Sequence, residues 1–515
     1  MPLPAPNSDW PPPQWSDIYT AYDRWSAWYS GDADRLTHVY ERDPQPQRVR
    51  QSQFSDGLVG RVSRWFWGTP PSPAQRSTKL HVPAAADIAG TSADLLYADM
   101  PTVTVDDSAT QTRLDELLDD GLLTTLVEAA EVAAALGGCF LRVGWDRSVL
   151  GDRPLVDVVH PDSAVPTFYR GYLTEVTFHQ VLADDKNGVL RHLERHVPGG
   201  VEHALYLGTS SNLGRPVPLT EHPATADIAE QLADSNLVET GIDTLDVVYK
   251  PNVLPNRMWR NHPVGSALGR SDYSGVEHLM DALDETYTAW MRDIRLAKGR
   301  IVVPQHYLES QGPGQGAVAD LDREVFTPVN RPPDASGASE ITASQFAIRH
   351  EEHSATAREL HQQIVQGAGY SAQTFGLTSE VAMTATESNA RERKTLLTRG
   401  KKSRLDGMAL ARLIEVLLAV DRTQFGSTVQ PQPPAIEYPP VVTAQPSERA
   451  ETARLLSQAE AASTYTLVSM NHPEWDESEI AEEVDRIQSE RGAAMPEPGE
   501  SLGQLAAGQP PTDEE

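Results

Sequence analysis

The chain has 515 residues, of which 39 % are apolar and 23 % are charged, so it is long enough for about two to four packed units. Its 43 Lys and Arg residues against 73 Asp and Glu leave a formal net charge of -30, which disfavours a basic nucleic-acid binder. The single cysteine, Cys139, excludes an internal disulfide framework and a cysteine-based zinc site, and fits a protein assembled in a cytosol.

The N-terminal third alternates helix signals with proline-rich and glycine-rich stretches. The first 15 residues are rich in proline and lack an apolar core segment, so we expect an extended arm and not a signal peptide. Aromatic residues spaced by three and four predict an amphipathic helix between residues 15 and 41. A second helix is predicted over Asp87–Tyr97, after a domain edge near residue 85.

The next block changes from helix to strand. Apolar residues keep a helical period from Leu114 to Leu136, Gly137-Gly138 end it, and Cys139–Trp145 follows as a strand. Four further runs predict strands separated by turns: Leu155–Val159, Thr174–Leu182, His203–Leu207 and Thr244–Val248. The polar stretch Gly208–Glu239 is interpreted as an inserted surface segment.

Long helices dominate the second half. They are predicted over Ser274–Lys298, Ala343–Gln366 and Ala385–Val420. Two short strand-like runs, Arg300–Tyr307 and Arg323–Val329, flank a glycine-rich loop between the first two helices. After a proline-rich linker, the patterns predict helices over Glu448–Met470 and Glu477–Arg491, then an acidic tail of disordered composition.

Motifs for catalysis are weak. The histidines of His350-Glu351-Glu352-His353 are three residues apart and lack the metalloprotease signature. Gly400-Lys401-Lys402-Ser403 has Thr395 where a P-loop needs glycine, so an ATPase is not predicted. No cofactor is expected, and no stretch of about 20 apolar residues predicts a membrane crossing.

A basic cluster and a row of carboxylates leave other classes open. The cluster comprises Arg391, Arg393, Lys394, Arg399, Lys401, Lys402 and Arg404. We favour its packing against acidic surfaces of neighbouring subunits over a nucleic-acid groove. Carboxylates at Asp281, Asp284, Glu285 and Asp293 keep a hydrolase or nuclease with an atypical carboxylate site as the alternative, and a plain multidomain scaffold as a third possibility.

Several motifs, in the same order along the chain, resemble the portal proteins of tailed bacteriophages, in particular those of long-tailed siphophages. The most specific is Gly269–Asp284, which begins Gly-Arg-Ser-Asp-Tyr-Ser-Gly and continues into an apolar and acidic helix pattern. The others are Ala93–Pro101, Ala135–Gly138, Gly369–Leu377, Thr384–Ser388, and Pro473–Trp475 with Glu482–Val484. Together they cover roughly residues 85 to 490, and the segment 208–240 departs from the family pattern.

This resemblance implies an α+β portal fold with an α/β wing, two long stem helices flanking a small β-containing clip, and a helical crown. The blocks would be an N-terminal arm and helix (1–84), wing (85–270, with the insertion 208–240), first stem helix (271–298), clip (299–342), second stem helix (343–369), tunnel loop (370–384), long wing helix (385–430), linker and crown (431–491) and acidic tail (492–515).

The resemblance also implies a non-enzymatic ring of about twelve copies at one capsid vertex of the virion, assembled in the host cytoplasm. Such a ring conducts double-stranded DNA during packaging and ejection, and its partners are the terminase large subunit, a head–tail adaptor, and the major capsid and scaffolding proteins. An acidic wall suits a conduit, because like charge limits adhesion of the DNA phosphates. The expected channel-lining residues of the tunnel loop are Ser371, Thr374, Ser379, Glu380 and Thr384.

Overall fold

The computed structural model describes residues 3–42, 79–147, 151–232, 237–297, 300–304, 326–329, 342–344, 348–377, 385–439, 446–472 and 475–493. They fall into two compact units, 1–439 and 440–515. The fold mixes helices and mainly antiparallel sheets, in agreement with the α+β class. Within the described ranges, no helix is long and apolar enough to cross a membrane.

The helices of the first unit are α1 (Ser16–Ser30), α2 (Ala33–Arg42), α3 (Ala84–Tyr97), α4 (Ser108–Leu117), α5 (Leu123–Leu136), α6 (Pro223–Gln231), α7 (Glu277–Leu296), α8 (His350–Ala368) and α9 (Ala385–Phe425). The second unit contains α10 (Pro446–Gln458), α11 (Thr464–Asn471) and α12 (Glu477–Ala493).

The strands are β1 (Thr102–Thr104), β2 (Gly138–Trp145), β3 (Pro154–Val159), β4 (Ala164–Tyr169), β5 (Tyr172–Asp185), β6 (Gly188–Val197), β7 (Gly200–Gly208), β8 (Arg215–Val217), β9 (Leu237–Glu239), β10 (Val247–Pro251), β11 (Arg300–Pro304), β12 (Phe326–Val329), β13 (Thr342–Ser344) and β14 (Ala435–Glu437).

The strands of the described ranges form four sheets. The largest has the order β4-β5-β6-β7-β8, and β9 also pairs with β7. A second, β10-β2-β3, lies beside α5 and α9. β11 pairs in parallel with β12 and antiparallel with β13, and β1 pairs with β14. The main core joins the helices α1, α3, α5 and α9 to the sheet of β2.

The aromatic pattern near the N-terminus is core packing. Trp25 and Trp28 of α1 are fully buried, and Trp25 packs against Trp259 with ring centroids 5.6 Å apart. The predicted single helix divides into α1 and α2 at a turn around Gly31. Cys139 is also buried, and burial raises the pKa of its thiol to about 12, as expected for a structural cysteine.

Further predicted helices were wrong in their boundaries, and the helix predicted over Glu448–Met470 is two helices, α10 and α11. The helix predicted over Leu114–Leu136 is interrupted at Gly121, whose φ of +101° is in the left-handed region that favours glycine. The second long helix begins at His350 and not at Ala343, because Thr342–Ser344 pairs with β11 as a strand. The polar stretch 208–240 supplies β8 and β9 to the large sheet, and its interpretation as an insertion stays a prediction.

Candidate functional site

Sequence motifs that lie far apart along the chain meet at one buried ion pair. The Nζ atom of Lys402 on α9 lies 2.5 Å from Oδ2 of Asp272, and both residues are at most 5 % exposed. Asp272 also accepts hydrogen bonds from Tyr370 Oη and Asn252 Nδ2, each at 2.8 Å. Ser92 Oγ accepts from the same lysine at 2.5 Å. We call Asp272, Lys402 and their hydrogen-bond partners the junction.

A second buried ion pair lies one helical turn along α9. Asp406 pairs with Lys250 of β10, and it accepts hydrogen bonds from Tyr97 Oη at 2.6 Å and from Tyr438 Oη. Lys402 and Asp406 are four residues apart, so they project from the same face of the helix. Burial works against the charged form and lowers the pKa of both lysines. The two pairs tie α9 to α3, to β10 and to the segment before α7.

Two glycines allow the backbone to cross closely beside the junction. Gly137 ends α5 with a φ of +90°, and a Cβ atom there would lie 2.8 Å from the carbonyl oxygen of Gly269. The Asp272 N–H donates to the Ala134 carbonyl at 2.9 Å, and the Asn252 N–H donates to the Gly137 carbonyl at 3.0 Å. Gly137 and Gly269, which belong to two different motifs, therefore allow the two backbone segments to lie in close contact.

The helices α7 and α8 form an antiparallel hairpin that starts at the junction. Near one end, Gly367 of α8 lies against Val276, the residue before α7. Near the other end, Asp293 of α7 accepts hydrogen bonds from Arg349 Nη2 at 2.8 Å and interacts with His353 Nε2 at 3.0 Å. These contacts lower the pKa of Asp293.

The small sheet of β11, β12 and β13 is formed by the chain between α7 and α8, which connects the two helices at the end of the hairpin distant from the junction. β11 begins at Arg300, shortly after α7 ends at Leu296, and β13 ends at Ser344, shortly before α8 begins. The order of elements is therefore helix, three strands, helix. This agrees with the predicted pair of long helices around a small β module.

Residues that precede α3 brace the hairpin. Asp284 of α7 is 1 % exposed and accepts hydrogen bonds from Tyr40 Oη at 2.6 Å and from the Val82 N–H at 2.8 Å. His81 Nδ1 lies 2.9 Å from the same carboxylate, and Lys79 pairs with Asp281. The carboxylates considered for a hydrolytic site are thus engaged in structural contacts. Among the described residues, no group of His, Cys, Asp or Glu side chains could hold a metal ion.

The predicted channel-lining residues divide into two groups. Ser371 is 7 % exposed, and its N–H donates to Thr395 Oγ1 at 2.8 Å. Thr374 is half-buried, and its Oγ1 lies 2.8 Å from the same hydroxyl. Both residues therefore contact α9 within this chain. Ser379, Glu380 and Thr384 lie outside the described residues, so the channel-lining role stays a prediction.

The basic cluster of α9 is used partly inside the chain. Arg399 Nε donates to the Leu95 carbonyl at 2.7 Å, Lys394 donates to the Gln366 carbonyl, and Lys402 is in the junction. Arg393, Lys401 and Arg404 are exposed. The predicted packing of the cluster against neighbouring subunits stays a prediction for these three, and the side chain of Arg391 lies outside the described residues.

Sequence reasoning missed the pair Lys250–Asp406. A signal was present, because the chain has only seven lysines and Lys250 follows the apolar run Val247–Tyr249. A lysine next to a buried strand indicates a paired charge, since an unpaired buried lysine is costly. The partner could not be identified from sequence, because it lies 156 residues away.

The large sheet holds a separate buried charge network. His196 Nδ1 lies 2.8 Å from Asp246 Oδ1, and His196 Nε2 lies 3.0 Å from Glu194 Oε1. Burial favours the neutral imidazole, but the two carboxylates outweigh it and raise the pKa of His196 to about 9. The charged imidazolium therefore links β6 to the segment before β10 at neutral pH.

No family model matches this chain, and no curated protein matches it. Among solved structures, it is similar to a chain from the virion of a native gene transfer agent particle, with 13 % identity and a TM-score of 0.36, covering 80 % of this chain and 99 % of that chain. It is also similar to a chain from the neck of a native gene transfer agent particle computed with C12 symmetry. That likeness has 12 % identity and a TM-score of 0.33, and covers 82 % of this chain and 92 % of that chain.

Proposed function

We propose that this chain is a portal protein, the subunit of a closed ring at one capsid vertex through which double-stranded DNA is packaged and ejected. In this assignment α7 and α8 are the stem helices, and the sheet of β11, β12 and β13 belongs to the clip. The long helix α9 belongs to the wing, and the helices of the second unit belong to the crown.

The convergence of the portal-like motifs on the junction is the observation that carries the proposal. The motif at 269–284 supplies Asp272, the motif at 369–377 supplies Tyr370, and the residues beside 135–138 supply backbone acceptors. These motifs are separated by up to more than 200 residues along the chain and meet at one buried site. Their contact supports a shared fold role, which is to fix the base of the helical hairpin.

The charge of the chain supports a conduit and not a DNA clamp. A net charge of -30 is unfavourable for tight binding to a phosphate backbone, whereas it limits adhesion of DNA during passage. We assign docking of the terminase large subunit and of the head–tail adaptor to the clip, and contacts with capsid and scaffolding proteins to the rest of the ring. ATP hydrolysis would then belong to the terminase and not to this subunit.

The mass of the assembled protein tests the ring. We expect native mass spectrometry of the full chain to find a closed ring of about twelve subunits, because a heterologous interface that closes gives a cyclic assembly. Only monomers or dimers at assembly concentrations would contradict the proposal. A phosphate-release assay on the same sample should find no ATP hydrolysis that persists through purification.

A charge substitution tests the channel. In the portal assignment Glu380 faces the DNA, so Glu380→Lys places a ring of positive charge around the phosphates and should slow packaging in vitro while the ring still assembles. Glu380→Gln is the matched control, since it removes the negative charge without adding a positive one, and it should package at nearly the normal rate. Normal packaging by the lysine variant would show that this residue does not line the channel.

A further inference from the structure

One face of α9 presents both basic and apolar side chains to solvent. Its members follow one another at spacings of four, four, three and four residues, so they fall within about 80° of the helix circumference. They are Arg393, Leu397, Lys401, Arg404 and Met408, and all five are exposed. We call these five residues the basic stripe.

The apolar members of the basic stripe indicate a partner more strongly than its charges do. Arg393, Lys401 and Arg404 form no ion pair with any described residue, but water solvates exposed charges of this kind. Leu397 is 59 % exposed and Met408 is 65 % exposed. Large apolar side chains exposed together on one helix face are typical of a surface that another protein covers.

An apolar cavity continues the stripe at Met408. This residue and Leu405 of α9 line a mainly apolar cavity of about 640 Å³, together with Leu254 after β10 and Tyr172 of β5. Tyr172 is 79 % exposed. A nucleic-acid interface is more polar and more basic than this, whereas a protein interface combines an apolar centre with a charged rim. The surface therefore fits a protein partner whose own charge is negative.

A patch of opposite charge lies at the end of α4 and just after it. It consists of four exposed carboxylates within six residues, Asp115, Glu116, Asp119 and Asp120. Arg113 pairs with Glu116 and Arg153 pairs with Asp120. Asp115 and Asp119 form no ion pair within the described ranges. We call these four residues the acidic patch.

The basic stripe and the acidic patch are too far apart to meet within one chain. Arg113 holds α4 beside the C-terminal end of α9, because its Nη2 atom donates to Asp421 Oδ1 at 2.9 Å. Lys401, in the middle of the stripe, precedes Asp421 by 20 residues, which is about 30 Å along the helix. An ion pair needs its nitrogen and oxygen within about 4 Å. Pairing of these two surfaces therefore requires two copies of the chain.

We propose that the basic stripe of one copy docks on the acidic patch of the next copy, head to tail around a ring. This inference rests on the ring of the proposed function, and it names two of the surfaces that close it. A contact between two different surfaces is heterologous, which is the kind of interface that generates a cyclic assembly. The charges fix the direction and register of docking, and the neighbour covers Leu397, Met408 and the cavity beside them.

Charge reversal in the full chain tests this pairing. Lys401→Glu with Arg404→Glu makes the stripe acidic, and Asp115→Lys with Asp119→Lys makes the patch basic. Each double variant alone brings like charges together at every contact, so the concentration for half-assembly should rise about 100-fold or more in native mass spectrometry. An equal mixture of the two variants should form rings near the wild-type concentration, with the variants alternating. Recovery in the mixture also shows that both variants are folded.

A chain that carries all four substitutions should form rings alone, because its stripe and patch are again of opposite charge. Lys186→Glu with Arg215→Glu is the matched control, since both residues are exposed on the large sheet and the net charge changes equally. This control should assemble as the wild type does, and an equal loss in it would overturn the proposal.

The remaining outcomes separate this interface from the portal assignment. Normal rings in either reversal variant, or no recovery in the mixture, would overturn the interface and leave the portal assignment intact. Wild-type protein found only as monomers would contradict the portal assignment itself. Rings that persist while the stripe variant loses affinity for duplex DNA would make the stripe a nucleic-acid groove and overturn the proposal.

Discussion

Removing one partner of the Asp272–Lys402 ion pair should lower the free energy of unfolding far more than removing both partners together. Asp272→Asn removes the negative charge beside the buried Lys402 and leaves it with neutral acceptors only, namely Ser92 Oγ and an amide oxygen, so we expect a loss of about 3–5 kcal/mol in the free energy of unfolding. Lys402→Met leaves a carboxylate that still accepts from Tyr370 and Asn252, so its loss should lie near the lower end of that range.

The double variant is the decisive measurement. With Asp272→Asn and Lys402→Met together no buried charge is left unpaired, so the loss should be smaller than the sum of the single losses by about 2 kcal/mol or more. Urea unfolding followed by circular dichroism gives the four free energies, with mass photometry to confirm that all variants share one oligomeric state. Arg412→Met is the control on the same helix, because its pair with Glu415 is partly exposed and should contribute at most about 1 kcal/mol.

Additive losses would refute this reasoning. If the double variant loses the sum of the two single losses within about 0.5 kcal/mol, then Asp272 and Lys402 act independently. The junction would then be two separate polar sites, and the base of the hairpin would have to be fixed by packing alone.

Two further predictions concern the close backbone approach and the charge network of the large sheet. Gly137→Ala places a Cβ 2.8 Å from the Gly269 carbonyl oxygen at a position with positive φ, so urea unfolding should find a loss of about 2–5 kcal/mol in the free energy of unfolding. The control is Gly400→Ala on α9, where the new Cβ lies in open space, and this variant should gain about 0.5–1 kcal/mol. The raised pKa of His196 stabilises the fold fully below pH 6.5, and this contribution of about 3 kcal/mol is lost as the pH rises through about 9. The stability difference between the wild type and His196→Gln should therefore shrink between pH 6 and pH 9.5.

Each of these predictions has a contradicting outcome. Equal stabilities of the wild type and Gly137→Ala would mean that the α5 end and the segment before α7 can separate without cost. A stability difference at His196 that stays constant from pH 6 to pH 9.5 would mean that its imidazole is not charged in the folded protein.

Periodicity predicted the long helices because each buries one apolar face. α9 is an example, since Leu410, Leu413 and Leu417 lie in the core at helical spacing. The break at Gly121 was missed although Asp-Asp-Gly is a turn signal, because the apolar period continues on both sides of it. Ala343 and Ser344 of β13 were assigned to a helix, since the strand with which they pair lies about 40 residues earlier and leaves no local pattern.

The contacts of the junction could not be predicted from the sequence either. Two of its residues, Asp272 and Tyr370, lie within the portal-like motifs, and Ser92 directly precedes a third motif, Ala93–Pro101. What the sequence could not provide was their contact, because a buried charge selects its partner through the fold and not through spacing. Lys402 was accordingly grouped with basic residues expected to pack against neighbouring subunits, although it is 5 % exposed and paired within this chain.

The shared base of the hairpin has a mechanical consequence. Asp272 lies shortly before α7, and Tyr370, which bonds to it, lies shortly after α8, so both ends of the hairpin are attached to one carboxylate. With 20 residues, α7 is about 30 Å long. A rotation of about 5° at the base would move the far end by about 2–3 Å, given that length. Small changes in packing around Asp272 are therefore amplified along the hairpin, and the position of its far end is a sensitive measure of the state of its base.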